Sequence, residues 1–111
     1  MEKQTLNWQD GVARVVNNKA LYAKLLGRFV DTQSDAASAI AAALDAGNMD
    51  DARRLAHTLK GTAANLGAEA LAEAARRLED ALTGGGDPAA GVTALRQTLD
   101  ETLAAMRNFQ P

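Results

Sequence analysis

Apolar side chains recur along this chain at the three- and four-residue intervals of helices, and no stretch shows the two-residue alternation of a strand. The clearest run is Ala52, Leu55, Ala56, Leu59, Ala63 and Leu66, one stripe of an α-helix that faces a core. Upstream, Leu21, Tyr22, Leu25, Leu26, Phe29 and Val30 mark a helix from Lys19. The polar run Asp31-Thr32-Gln33-Ser34-Asp35 interrupts it, and Ala36, Ala39, Ile40, Ala43 and Leu44 resume the period until Ala46-Gly47-Asn48. Residues 19–46 are therefore two helices or one bent helix, and the pattern does not choose. Downstream, Leu71, Ala74, Ala75, Leu78, Ala81 and Leu82 form one stripe. Val92, Leu95, Leu99, Leu103 and Met106 form the last, which frays near Phe109.

The residues between the stripes predict where each helix starts and stops. Asp10 caps a short helix over 11–16 that turns Val12, Val15 and Val16 inward. Asn17-Asn18 is a turn, with Asn18 as the next N-cap. Asn48 or Asp50 caps the helix that ends near Leu66, and Gly67 suits the left-handed position just past a helix end. So short a connection makes its two helices antiparallel neighbours, a hairpin over 49–83. Thr83-Gly84-Gly85-Gly86 is the next turn, and Asp87-Pro88 is a capping carboxylate followed by a first-turn proline. Residues 1–9 read as a loose lead-in, with Trp8 packing back as a lid. The expectation is one all-α domain over 1–111. It is an antiparallel up-and-down four-helix bundle with a short N-terminal helix covering one end.

Composition narrows the chemistry. Apolar residues at 47% and charged residues at 23% suit a globular chain, and 111 residues suffice for one core. With no cysteine there is no disulfide framework and no thiolate nucleophile, and the simplest setting is a reducing cytoplasm. No signal peptide or long apolar segment points to membrane contact by this chain. A net charge of −2, with no basic run interleaved with aromatics, argues against nucleic acid.

His57 is the single histidine, and it sits on the wrong side of its helix to serve the core. At ~100° per residue it lies roughly 150° from the centre of the apolar stripe and faces water. Arg53, Lys60, Gly61 and Ala64, at −4, +3, +4 and +7, share its face. A glycine in a helix interior costs about 1 kcal/mol relative to alanine. Core packing does not explain Gly61 on an exposed face; what it provides is room for a group on the imidazole or for a partner's surface.

The run His57-Thr58-Leu59-Lys60-Gly61, followed by Ala63-Ala64-Asn65-Leu66-Gly67, resembles the signature of histidine-containing phosphotransfer (HPt) domains of bacterial phosphorelays. The similarity continues through Leu71, Leu78 and Glu79, and more weakly back to Leu21-Tyr22 and Leu25-Leu26-Arg28-Phe29. It implies that His57 carries a phosphoryl group on Nε2. It also implies that the partners are response-regulator receiver domains or a hybrid sensor histidine kinase, the receiver supplying the aspartate and the Mg²⁺ site. The chain itself would then be a phosphocarrier, not an enzyme, with no cofactor or metal of its own. Imidazole suits the task, being a good nitrogen nucleophile and largely neutral near pH 7.

Around that histidine, Lys60 is placed to offset part of the roughly −2 charge of an added phosphate. With the hairpin turn at Gly67-Ala68, facing residues have numbers summing to about 135, which sets His57 level with Leu78 and Glu79. Leu78 belongs to the core, so Glu79 is the polar neighbour of the ring. A carboxylate accepting Nδ1–H fixes the tautomer that leaves Nε2 free; the alternative for Glu79 is a helix pair with Arg76. A docking patch is expected at Ala64, with Ala56 at its edge and Arg53 as either a contact or a solvated charge. Such encounters are transient, and a sealed bundle of this size is expected to be monomeric. The rival is a helical interaction module without phosphochemistry, which leaves Lys60 and Gly61 unexplained. A kinase dimerisation helix fits less well, since Thr58 follows the histidine where an acidic residue would be expected and no proline precedes Pro88. One histidine without cysteine supplies too few ligands for a zinc enzyme. Kinase, regulator, signal and direction of flow are not written in the sequence, nor is whether the chain stands alone or belongs to a larger kinase.

Overall fold

The structure, a computed structural model, describes residues 4–15 and 17–110. Its elements are helices, and no strand occurs among the described residues. In chain order they are α1 (Trp8–Arg14), α2 (Lys19–Gln33), α3 (Ala36–Asp45), α4 (Met49–Asn65), α5 (Glu69–Asp80), a π-helical turn (Ala81–Gly85) and α6 (Pro88–Arg107).

Each start has a local cause. The side-chain oxygens of Asn7, Asn18, Asn48 and Asp87 accept backbone N–H groups that the first turns of α1, α2, α4 and α6 leave without helical partners. Asn48 rather than Asp50 is thus the cap of α4, and Pro88 occupies the first turn of α6, where its missing N–H costs nothing. The first helix begins a turn earlier than the sequence suggests. Asn7 caps it, while Asp10 lies inside the first turn and pairs with Arg14 at 2.9 Å. Val12 is buried and Val15 half-buried; Val16 falls outside the described residues.

Residues 19–46 form two helices. Ser34 stays near helical values and Asp35 departs from them without a side-chain cap, so the chain bends rather than reverses. Gly67 ends the histidine helix at φ +78°, the left-handed value that glycine adopts most readily.

The core forms where the apolar stripes meet. Helix α4 packs against α3 and α5, and α6 packs against α5, α2 and α3, closing the ring. Tyr22, Leu26, Ile40, Leu71, Leu78 and Leu99 are among the large side chains sealed inside. Ala52, Ala56, Ala63 and Ala75 are fully buried, small enough to let helix backbones approach closely.

Of the expected loose lead-in, residues 4–7 form a strap tied to the α4–α5 turn and Trp8 and Gln9 belong to α1, while residues 1–3 lie outside the described residues. Asn7 donates its backbone N–H to the Gly67 carbonyl at 2.6 Å, and Ala70 donates to the Gln4 carbonyl at 2.9 Å. Glu69 accepts from the Gln4 backbone N–H and the Asn7 amide, both at 3.1 Å. These bonds serve the start of α5, whose own N-cap residue, Ala68, has no polar side chain to cap it. Trp8 does pack back, its ring 6.1 Å from that of Phe109 and with Lys19 Nζ 5.0 Å above it. The last helix does end just before Phe109, at Arg107, but the Phe109 ring packs back and stands edge-on to Tyr22 at 5.1 Å.

Candidate functional site

Helix α4 presents His57 as its pattern requires: the stripe Ala52, Ala56, Leu59 and Ala63 is buried, and the imidazole is 67% exposed. The tight turn at Gly67 lays α5 back along α4 and brings Glu79 beside the ring. Glu79 Oε2 lies 2.8 Å from Nδ1 of His57. An ionised carboxylate can only accept, so this contact places the imidazole proton on Nδ1. In the neutral ring Nε2 then carries the lone pair, and it has no hydrogen-bond partner among the described residues.

Lys60, one turn along α4, donates from Nζ to the other oxygen of the same carboxylate at 2.8 Å. Each oxygen of Glu79 thus has a separate partner. Lys60 is the larger cause that holds the Glu79 carboxyl below its ordinary range; partial burial opposes it and the His57 contact adds to it. The apolar pattern alone does not predict the bond from Lys60 to Glu79. Its one signal in the sequence is that His57 and Lys60, three apart on one helix face, flank the position opposite Glu79. Arg76 does not pair with Glu79: it binds Glu73 at 2.5 Å and Asp80 at 2.8 Å.

A Cβ built on Gly61 would meet nothing within 4 Å, so this position opens onto free space one turn from the imidazole. Ala64 is exposed on the same face. Ala56 is not at a patch edge. It is 0% exposed, because it stands about 100° round the helix from His57, on the core stripe. Arg53 is ion-paired with Asp50, and Arg54 with Asp51 at 2.9 Å. The two arginines of the first turns are therefore partnered by carboxylates of their own helix.

Among the described residues no group of three or more histidine, cysteine or acidic side chains is placed to hold a metal, and no helix is long and apolar enough to cross a membrane. The family model of the Hpt domain matches residues 24–109, which include His57, Lys60, Gly61, Ala64 and Glu79. The chain belongs to the Hpt domain family. Hpt domains are phosphocarriers rather than enzymes and take part in histidine phosphotransfer with the receiver domains and kinases of phosphorelays. The Hpt match begins inside α2, so the strap and α1 lie outside it. Neither the curated proteins nor the solved structures give a match.

Proposed function

We propose that His57 accepts a phosphoryl group on Nε2 from a receiver-domain aspartate or a kinase and passes it to the aspartate of another receiver domain. The observation that carries this reading is the 2.8 Å contact between Nδ1 and Glu79, which leaves the lone pair on the outer nitrogen of an exposed ring. Imidazole attacks phosphorus through that lone pair. The receiver supplies the aspartate and the Mg²⁺ ion, so the chain needs neither a metal nor a cofactor.

Lys60 adds a positive charge on the same face and offsets part of the roughly −2 of the phosphoryl group. Gly61 and Ala64 keep the surface low, so that a receiver's active site can descend onto the ring, and Arg53 stands at the rim of that footprint. In this reading the chain is one monomeric unit acting in the cytoplasm. The bent arm α2–α3 with α4, α5 and α6 makes an antiparallel up-and-down four-helix bundle, and α1 lies across one end.

The test is to incubate the chain with a receiver domain phosphorylated on its aspartate. The expected product is an acid-labile, alkali-stable label on the wild-type chain and none on His57→Gln. Label of that kind on the His57→Gln chain, or none on the wild type across a panel of receivers, overturns the reading.

A further inference from the structure

We infer that residues 4–7 form a latch on the closed end of the α4–α5 hairpin, one that can unseat while the bundle stays folded, and that the seated latch positions the site at His57. The second half rests on the phosphocarrier reading, since what is positioned is that site.

Two glycines shape the contact. A Cβ on Gly67 would lie 2.1 Å from the Asn7 carbonyl oxygen. A Cβ on Gly11 would lie 2.7 Å from the Leu66 carbonyl oxygen and 2.3 Å from the Tyr22 ring. Each glycine lets backbones touch where any side chain would hold them apart. Hydrogen bonds close the fit in both directions: Asn7 donates to the Gly67 carbonyl at 2.6 Å, and Ala70 donates to the Gln4 carbonyl at 2.9 Å. From beneath, Tyr22 donates its hydroxyl to the Leu66 carbonyl.

The start of α5 depends on this segment. The helix has no side-chain cap, so the first-turn amide of Ala70 finds its acceptor on the strap, while Glu69 holds the Gln4 N–H and the Asn7 amide. From there α5 runs unbroken to Asp80, so its first turn and Glu79 belong to one stiff element. The body of the hairpin is held differently. Leu59, Ala63, Leu71, Ala75 and Leu78 are sealed in the core, whereas Gln4 is exposed and Thr5, Leu6 and Asn7 are half-buried. A surface segment held by hydrogen bonds opens at a lower free energy than one held by buried apolar contacts. Seated and unseated are thus two arrangements of a single element, which is what coupling of the N-terminal segment to a distant site requires. The Hpt match begins at residue 24, so the latch lies outside the shared pattern. Asn7 is in this respect a positioning residue, acting through the Gly67 turn and α5.

Asn7→Asp separates the latch from the helix it precedes. Aspartate still caps α1, but it turns a carboxylate towards Glu69 in place of an amide donor. In the wild type the Ala70 amide should exchange with solvent faster than that of Leu99 in the core, and with little dependence on denaturant, because unseating exposes little surface. In Asn7→Asp the Ala70 exchange should accelerate at least about tenfold, through hydrogen bonds lost from a charged group. The nitrogen-15 signals of the single imidazole should shift towards those of a free ring, and phosphotransfer from a receiver should slow at least about fivefold. Lost stability alone moves the melting midpoint but neither of these in a chain still fully folded at the working temperature. The chain has no cysteine, so a disulfide between Gln4→Cys and Ala70→Cys, whose backbones are already hydrogen-bonded, locks the strap down selectively. In the Asn7→Asp background that lock should restore both the ring signals and the transfer rate. Ala70 exchange that matches Leu99 in rate and denaturant dependence overturns the inference. So does an unmoved imidazole signal or an unslowed transfer once Ala70 exchange has accelerated, or a locked chain that regains neither. A wild type that accepts nothing from any receiver counts against the phosphocarrier reading alone, and the amide and imidazole signals still decide the latch.

Discussion

Oε2 of Glu79 stands 2.8 Å from Nδ1 of His57, although the two residues are 22 positions apart and belong to different helices. Their meeting depends on the register of the α4–α5 hairpin, and the register depends on the turn at Gly67. That glycine is doubly constrained. Its φ of +78° disfavours any side chain, and a Cβ there would lie 2.1 Å from the carbonyl oxygen of Asn7. Gly67→Ala is expected to destabilise the fold by at least about 2 kcal/mol, combining left-handed strain with the clash against the strap. Denaturant melts of the two chains measure it, and an unchanged midpoint would contradict the account of the turn.

Gly61 should behave in the opposite way. Nothing of this chain presses on position 61, so Gly61→Ala should raise stability by about 1 kcal/mol through helix propensity alone. Phosphotransfer from a receiver should slow, and slow further with Gly61→Leu, if the space serves an incoming partner. Parallel melts and transfer rates separate the two effects. A leucine at 61 that leaves the transfer rate unchanged would remove the functional reason for the glycine.

Tyr22 ties α2 to the end of the histidine helix by donating its hydroxyl to the Leu66 carbonyl at 2.6 Å. Burial, helped by the negative charge of Asp10, pushes the phenol up to about 12 from 10.0. A folded-state value raised above the unfolded one means that this contribution is complete below pH 10 and is lost as pH rises from 10 towards 12. Tyr22→Phe should cost about 1 kcal/mol at neutral pH through the lost hydrogen bond. It should also flatten the alkaline part of the stability profile. Melts across that pH range check both, and a Tyr22→Phe chain with the wild-type alkaline slope would contradict the assignment.

Lys60 is the first cause of the low Glu79 titration, so removing it has a direction. In Lys60→Met the Glu79 carboxyl should titrate at higher pH, nearer the ordinary carboxylate range. Carbon-13 NMR of the side-chain carboxyl follows this directly. An unmoved titration would mean that the contact at Oε1 does not govern the charge on Glu79.

Much of this arrangement was legible in the sequence because it follows from short-range periodicity. The apolar stripe of α4 fixes which way His57 points, and a turn at a left-handed glycine fixes which residue of α5 lies level with it. The same stripe contains Ala56, which is why that alanine is buried and takes no part in a docking face. The start of α1 is ambiguous in the sequence because Asn7 and Asp10 are both good caps, and local propensity cannot rank two caps three residues apart. The strap and the Trp8–Phe109 contact join residues far apart in the chain. Periodicity carries no information about such contacts.

A phosphoryl group parked on His57 must be able to move on to a receiver. This is tested most directly by isolating the labelled chain, mixing it with an unphosphorylated receiver domain and Mg²⁺, and following the label. Label should leave His57 and appear on the receiver's aspartate, with none reaching the receiver when His57→Gln takes the place of the wild type. Label that stays on the chain, or departs only as inorganic phosphate with every receiver tried, would contradict it.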